Sequence, residues 1–206
     1  MLKVLRALLS KKRPEVDPGM NYLVAGLGNI GAEYASTRHN IGFMVLDAWS
    51  EASNASFSTQ RYGSVATMRV KNCQLVLLKP STYMNLSGEA VRYWMQKENI
   101  ALENILVVVD DIALPFGAIR LRGRGADGGH NGLKNIDAML QTNQYARLRF
   151  GIGSDFPRGA QVDYVLSPPS AEQLAVLPER AKVAAEAIKA FCLSGIDFAM
   201  TNYNNK

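Results

Sequence analysis

The chain contains two histidines, His39 and His130, and each is followed directly by an asparagine. A histidine can accept a proton near neutral pH, so either one is a candidate general base for the activation of water. An asparagine amide can donate to a developing oxyanion and can also accept from a peptide N–H. The two His-Asn pairs therefore indicate a site that combines proton transfer with recognition of an acyl group.

Further polar residues fall where predicted strands end. Asn29 follows the first strand, Asn85 comes soon after a strand that ends at Leu78, and Asp110 follows Val109. A carboxylate bonded to the second ring nitrogen of a histidine fixes its tautomer and stabilises the imidazolium. This set of groups suits direct attack of water on a reactive acyl bond such as an ester. Each residue taken alone could instead be a turn former, a cap or a structural hydrogen-bond partner.

Other kinds of catalysis have weaker support. A metal site needs several ligands at close spacing, which two separate histidines and the pair Asp110-Asp111 supply poorly. A magnesium site at the aspartate pair stays open, beside the alternative of one functional carboxylate and one solvated neighbour. The chain has no GxSxG nucleophile elbow. Cys73 and Cys192 lack CxxC spacing, so we expect buried apolar fillers in a reducing cytoplasm.

Residues 26–31 read GLGNIG, which matches the GxGxxG fingerprint of dinucleotide-binding folds. In that fingerprint a helix begins within the glycines, but here residues 32–39 separate them from the next helical pattern. The acidic residues that follow at about 20 positions, Asp47 and Glu51, lie inside a helical pattern rather than at a strand end. A nicotinamide-dependent oxidoreductase therefore remains only as a minor alternative.

The net charge of +5 is unevenly distributed. Residues 1–20 contribute +3 of it, from five basic residues against two acidic ones: Lys3, Arg6, Lys11, Lys12 and Arg13 against Glu15 and Asp17. The apolar part of this segment is short and interrupted by charges, so we expect neither a signal peptide nor a membrane anchor. We expect residues 1–20 to be a disordered extension, an upstream start or a short amphipathic tail, ahead of one domain at 21–206.

A local basic cluster lies at residues 117–134. Its net charge is +3, from four basic residues (Arg120, Arg122, Arg124 and Lys134) against Asp127. Several glycines in this segment allow the backbone to approach a ligand closely. The cluster indicates a polyanionic partner such as RNA, or alternatively a solvated loop beside a strand.

Hydrophobic periodicity places strands and helices in alternation. The predicted strands are 22–27, 64–70, 74–78, 105–109 (stopped by Asp110-Asp111), 118–121 and 147–152. The predicted helices are 40–52, 88–97 with Ser87 as N-cap, 133–140, and a long one that opens with a capping box at Ser170 and Gln173, runs towards Phe191 and kinks at Pro178. This order predicts an α/β fold: a single-domain three-layer sandwich, with helices on both faces of a mixed, mostly parallel sheet. In such sheets the site gathers at the carboxyl ends of the strands.

Five blocks of sequence closely resemble the bacterial-type peptidyl-tRNA hydrolases. They are AGLGNIGAEYASTRHNIGF, LLKPSTYMNLSGEAV, VVVDDIALPFGAIRLR, GADGGHNGLKNI and RLRFGIG. The resemblance runs from about residue 22 to residue 167 and does not include the first 20 residues. It implies an enzyme that cleaves the ester between a peptide and the 3′-terminal ribose of tRNA, recycling tRNA after premature drop-off from the ribosome. It also implies a cytoplasmic monomer with no metal or cofactor.

The resemblance assigns roles to individual residues. It implies His39 as the base, Asp110 as the residue that orients it, and Asn29 as the third catalytic residue. The residues implied in substrate binding are Tyr34, Tyr83, Met84, Asn85, His130 and Asn131. Those implied in tRNA binding are Lys134 and Arg149, with Arg120 and Arg122 as neighbours.

Two departures and one alternative accompany the resemblance. Ile30 stands where proline is common, which would loosen the turn around Asn29. Asp127 brings a negative charge into the glycine-rich stretch at residues 123–129, called the glycine loop below. Relatives in plant organelles act as RNA-splicing factors rather than hydrolases, so a non-catalytic RNA-binding role is the alternative. Retention of Asn29, His39, Asp110 and Asn131 favours the enzyme.

Overall fold

The computed structural model describes residues 20–204 of the chain, so the prediction for the N-terminal extension lies outside the described residues apart from Met20. The strands are β1 Asn21–Gly26, β2 Ser58–Gln60, β3 Gly63–Val70, β4 Cys73–Pro80, β5 Ile105–Asp111, β6 Ile119–Arg122 and β7 Ala146–Gly151. The α-helices are α1 Ile41–Ala52, α2 Ser87–Lys97, α3 Asn131–Leu140, α4 Gln161–Val165 and α5 Ala171–Tyr203. Short 3₁₀ helices, Arg38–Asn40 and Met84–Leu86, precede α1 and α2.

The strands form one seven-stranded sheet in the order β2-β3-β4-β1-β5-β7-β6. The four strands β4, β1, β5 and β7 run parallel at its centre, while β3 and β6 pair antiparallel to their neighbours. The order of strands in the sheet departs from their order along the chain at β1, which lies between β4 and β5. The loops after these three strands therefore meet at one edge, where parallel α/β sheets place their sites.

Alternate residues of the central strands supply two separate hydrophobic cores. Val24, Leu106 and Val108 belong to the core that is covered by α1 and α5. Leu23 and Val107 face the opposite way, into the core that is covered by α2 and α3. Burial on both faces explains why these strands read as continuous apolar runs, and the predicted three-layer sandwich is confirmed.

Four details differ from the sequence-based expectation. β5 continues through Asp111, because Asp110 and Asp111 pair with Phe150 and Gly151 of β7. Ser87 is the first residue of α2 rather than its N-cap, and its hydroxyl donates to the Met84 carbonyl. The capping box of α5 is confirmed, but the helix runs on to Tyr203 and its non-helical residue is Gly195 rather than Pro178. The elements β2 and α4 were missed, since each is very short.

Gly26, the first glycine of the GLGNIG stretch, serves packing. A Cβ on Gly26 would lie 2.3 Å from the Gly42 carbonyl oxygen, and a Cβ on Gly42 would lie 2.4 Å from the Leu27 nitrogen. Helix α1 therefore rests directly on the backbone of β1. It begins at Ile41, well beyond the glycines, so the arrangement of a dinucleotide-binding fold is absent from this part of the described chain.

Two further expectations can be compared with the described residues. Cys73 and Cys192 are buried free thiols, as predicted, and burial raises the pKa of each. None of the helices between residues 20 and 204 combines the length and apolar character needed to cross a bilayer.

Candidate active site

A cavity of about 700 Å³ opens at the edge of the sheet where the central parallel strands end. Its walls contain most of the residues predicted from the sequence: Asn29, His39, Tyr83, Met84, Asn85, Asp110, Arg122, His130, Asn131 and Arg149. Three predicted residues lie outside it, namely Tyr34, Arg120 and Lys134. The remaining wall includes residues that the sequence did not single out, among them Arg147 and, from α4, Val162 and Val165.

The turn that carries Asn29 is braced by a reciprocal amide pair. The Asn29 N–H donates to Asn40 Oδ1 at 2.8 Å, and Asn40 Nδ2 donates back to the Asn29 carbonyl at 2.9 Å. The Met84 N–H donates to Asn29 Oδ1 at 2.8 Å, which ties this turn to the start of the 3₁₀ helix before α2. These three bonds hold the turn although Ile30 replaces a proline. Because a backbone N–H fixes the oxygen of the Asn29 amide, its NH₂ group stays available to a ligand.

His39 is held by the end of β5. Its Nδ1 lies 3.0 and 2.9 Å from the two carboxylate oxygens of Asp110. An ionised carboxylate only accepts hydrogen bonds, so Nδ1 must carry the proton that is donated to it. The neutral ring then has its lone pair on Nε2, which has no hydrogen-bond partner among the described residues. With 13% of its side chain exposed in the cavity wall, His39 is arranged as a base.

His130 has the opposite arrangement. Its Nδ1 accepts from the N–H groups of Gly132 and Leu133 at 3.1 and 3.4 Å, so the imidazole caps the N-terminus of α3. Its Nε2 must therefore carry the proton, which it donates to Asp110 Oδ1 at 2.9 Å. Both nitrogens are engaged within the protein, which leaves none for a proton from water. This geometry favours a supporting role for His130.

Asp110 is thus shared by two neighbouring imidazoles, whose ring centroids are 5.0 Å apart. Burial alone would raise the pKa of its carboxyl group, but the neighbouring charges of His130 and His39 and the hydrogen bonds from both rings outweigh that effect. The pKa of Asp110 consequently lies well below its usual range. The carboxylate is ionised throughout the neutral range, as the acceptor role requires.

This depressed pKa predicts how stability varies with pH. Since the folded-state pKa lies below the unfolded value of about 3.9, the contribution of Asp110 is fully present above that value and is lost as pH falls through the folded pKa. The difference in unfolding free energy between the wild type and Asp110→Asn should therefore shrink as pH falls below about 4, where Asp110 itself becomes protonated. Urea denaturation over a pH series measures it. A difference that did not shrink below about pH 4 would contradict the assignment.

The amides of Asn85 and Asn131 point to ligand binding. Both residues are exposed in the cavity wall, and neither side chain makes a hydrogen bond within the described part of the protein. Met84 and Tyr83 also line the cavity; Met84 is buried at 4% exposure, while Tyr83 is exposed. Gly132 leaves room for this arrangement, since a Cβ there would lie 2.7 Å from the Met84 sulfur.

Asp111 is not the solvated neighbour that the sequence suggested. Its side chain is 9% exposed and forms an ion pair with the Arg149 guanidinium, and its Oδ1 accepts from the Ala113 N–H. The cause is the extra length of β5, which keeps Asp111 beside β7 instead of releasing it into a loop. Both oxygens are engaged in this way, which disfavours the magnesium site at the aspartate pair.

The two histidines and Asp110 form a cluster of the kind that can hold a metal ion. His39, Asp110 and His130 each offer a ligand atom, and these atoms lie within 4.8 Å of one another. However, the closest nitrogens are those that donate to Asp110, and a protonated nitrogen cannot bind a metal. An ion at this point would have to displace both hydrogen bonds that orient the histidines.

Several basic residues contribute to the cavity wall or lie near it. Arg122 and Arg124 are exposed in its wall, and Lys134 is exposed on α3 one turn beyond Asn131. Arg147 is buried at 2% exposure and donates to the carbonyl of Ala126 at 3.0 Å, so it supports the glycine loop. Within that loop, the Asp127 carboxylate accepts from the Gly129 N–H at 2.7 Å and so stabilises the turn.

The sequence did not predict the roles of Tyr34 and Asn40 or the part of the wall that α4 contributes. Tyr34 contributes its carbonyl, which accepts from the Thr37 N–H and hydroxyl in the turn before His39. Asn40 emerges as the partner of Asn29, and the only sequence signal for this was its place after His39. The wall from α4 had no signal, because residues 155–166 show neither a helical nor a strand period.

A histidine and aspartate pair can act as a general base on water, and free amides beside it can donate to a developing oxyanion, so this arrangement suits hydrolysis of an acyl bond. The sequence profile described as Peptidyl-tRNA hydrolase matches residues 23–206. This chain belongs to that family.

Individual relatives agree with the family match. The peptidyl-tRNA hydrolase of Phocaeicola vulgatus is 64% identical over 187 residues, which are 91% of this chain and 100% of the relative. That of Clostridium botulinum is 45% identical over 184 residues, or 89% and 96% of the two chains. The crystal structure of the Acinetobacter baumannii enzyme superimposes with a TM-score of 0.84 at 30% identity, covering 90% of this chain and 95% of that one.

Proposed function

We propose that this protein hydrolyses the ester bond between a peptide and the 3′-terminal ribose of tRNA. The observation that carries this proposal is the oriented pair of His39 and Asp110 in one cavity with the free NH₂ group of Asn29 and the unpaired amides of Asn85 and Asn131. Family membership supplies the substrate class. The geometry supplies a mechanism in which water attacks directly.

In this mechanism His39 Nε2 takes a proton from a water molecule as its oxygen adds to the ester carbonyl carbon. Asp110 stabilises the imidazolium that forms, because its carboxylate already accepts from Nδ1. The Asn29 NH₂ group can donate to the oxyanion. When the tetrahedral intermediate collapses, the C–O bond to the ribose breaks and the imidazolium returns its proton to the leaving 3′ oxygen.

The peptide is proposed to lie along Asn85 and Asn131. A carboxamide offers both a donor and an acceptor, so these two side chains can pair with peptide main-chain groups whatever the sequence of the peptide. Met84 and Tyr83 provide apolar surface beside them. Recognition of the main chain suits an enzyme that must act on many different peptides.

The tRNA is proposed to approach from the end of the cavity near Arg122 and Arg124, and to extend over Lys134. The enzyme is further proposed to act as a monomer in the cytoplasm, since one chain supplies every group that the mechanism uses. Arg149 is bound to Asp111, so its proposed contact with phosphate requires that this ion pair be shared or opened.

Lys134→Ala should weaken tRNA binding and flatten its dependence on salt. A phosphate contact acts through charge and released counterions, so one lost contact should reduce the slope of log K against log salt by roughly one unit. Cleavage of a minimal substrate, with the peptide on a short 3′ fragment, should change much less. Binding and cleavage measured across a salt series give both quantities.

Lys182→Ala is the matched control for this experiment, because Lys182 is exposed on α5 and does not line the cavity. It should leave the salt slope unchanged. Equal losses for Lys134→Ala on full-length and minimal substrates, with an unaltered slope, would show that Lys134 serves the ester site or the fold instead of the tRNA.

The test of the whole proposal is release of free tRNA from purified N-acyl-aminoacyl-tRNA, with and without a chelator. We expect turnover that the chelator does not change. Retained RNA binding without turnover would favour the alternative of a non-catalytic RNA-binding relative. Loss of turnover with the chelator would instead assign a metal to His39, Asp110 and His130.

A further inference from the structure

Arg38, which directly precedes His39, is a buried arginine with an unusual environment. It is 8% exposed, and no carboxylate lies within ion-pairing distance of its guanidinium among residues 20–204. Its Nε is buried without a hydrogen-bond partner. Burying a cation without a counterion costs desolvation free energy, which the hydrogen bonds of the guanidinium must offset.

The guanidinium holds the chain that leads into α5. Nη1 donates to the Ser167 hydroxyl and to the Pro168 carbonyl, both at 2.7 Å, and more weakly to the Ser167 carbonyl at 3.3 Å. Nη2 donates to Gln173 Oε1 at 3.0 Å. The backbone N–H of Arg38 also donates to the Ser167 carbonyl at 3.0 Å.

This anchor is itself well fixed. Gln173 Oε1 also accepts from the Ser170 N–H in the capping box that starts the 33-residue helix α5. The Arg38 guanidinium stacks on the Tyr164 ring, 4.3 Å from its centroid, and the Tyr164 hydroxyl donates to the Ile152 carbonyl at 2.6 Å. The contacts of Arg38 therefore join the 3₁₀ helix before α1 to the segment that leads into α5 and to Tyr164 of α4.

We infer that Arg38 is a positioning residue for His39. Asp110 fixes the imidazole from the end of β5, and Arg38 fixes the backbone of the same 3₁₀ helix from the start of α5. With two anchors on different elements, Nε2 is held at one place relative to the amide of Asn29. This inference rests on the proposed function, in which His39 is the base.

The test compares Arg38→Lys with Ser167→Ala and with a control. Lysine keeps the charge but cannot replace a planar fork that reaches four acceptors. Ser167→Ala removes one 2.7 Å partner and leaves Arg38 in place, so it remains informative if Arg38→Lys does not fold. Arg180→Lys is the control, since Arg180 is a half-buried arginine that donates to the Gly117 carbonyl away from the cavity.

On the minimal substrate, well below the melting temperature, Arg38→Lys should lower kcat by about 10-fold to 10²-fold, the scale of a small misplacement of a catalytic group. KM should stay within about twofold, because the groups that bind the substrate remain. Ser167→Ala should show a smaller loss of the same kind, and Arg180→Lys should keep the wild-type kcat.

An NMR readout separates this inference from the proposed function. The ¹⁵N spectrum of the two histidines should change at His39 in Arg38→Lys and Ser167→Ala while His130 keeps its signals, whether or not the enzyme turns over the substrate. If folded Ser167→Ala and Arg38→Lys lose melting temperature but keep the wild-type kcat and the wild-type His39 signals, Arg38 only stabilises the fold and the inference is wrong.

Discussion

His39→Ala is expected to lower the turnover of peptidyl-tRNA by about 10²-fold or more, a size typical of the loss of a general base. Nε2 of His39 is the only imidazole nitrogen of the site that the described hydrogen bonds leave free. The affinity for tRNA should be largely kept, because His39 is proposed to act on the ester and the proposed tRNA contacts are made by other residues. Single-turnover rates together with an equilibrium binding assay measure the two effects separately.

His130→Ala is the matched control for this prediction. It removes the other imidazole bonded to Asp110 and also the N-cap of α3. It leaves the contacts between His39 Nδ1 and the two Asp110 oxygens intact. The loss of rate should therefore be much smaller than for His39→Ala. The reverse order of losses would mean that the roles of the two histidines have been exchanged.

Asp110→Asn should produce the second large effect, a fall in kcat on the order of 10²-fold or more. Both carboxylate oxygens of Asp110 lie within 3.0 Å of His39 Nδ1, so an asparagine in the same place brings its NH₂ group beside that nitrogen in either orientation. Whenever the NH₂ group faces His39, Nδ1 must accept, and the proton moves to Nε2. The ring is then in the wrong tautomer for a base, and the imidazolium has lost its counterion.

Asp111→Asn provides the comparison for Asp110. The two residues are adjacent on β5, but Asp111 pairs with Arg149 and touches neither histidine. It should therefore cost much less in kcat. The rate is measured as a function of pH for both variants. Near-normal turnover in Asp110→Asn would remove Asp110 from the mechanism.

Much of the fold followed from sequence because the central strands are apolar on both faces. β1 and β5 are buried between two helical layers, and this produces runs that only a central strand of an α/β sheet explains well. The elements that sequence missed, β2 and α4, are three and five residues long. Such segments are too short to show a period, and tertiary contacts decide their conformation.

The candidate site was predictable in its residues but not in its hydrogen bonds. Asp110 was expected at a strand end, His39 at a helix start and Asn131 in a glycine-rich loop, and all three line one cavity. That Asp110 bonds both histidines depends on the adjacency of β1, β5 and α3, which no local pattern encodes. The pairing of Asp111 with Arg149 and the anchoring of Arg38 on Ser167 span long stretches of sequence for the same reason.

The most direct test of the central assignment is a long-range ¹H–¹⁵N correlation spectrum of the protein labelled at histidine, recorded where both rings are neutral. The chain has two histidines, so a tag-free sample gives two ring systems. We predict the Nδ1–H tautomer for His39, with a free and basic Nε2, and the Nε2–H tautomer for His130, and the assignments come from His130→Ala. An Nε2–H tautomer at His39 would contradict the proposed base, since that nitrogen could then not accept a proton from water.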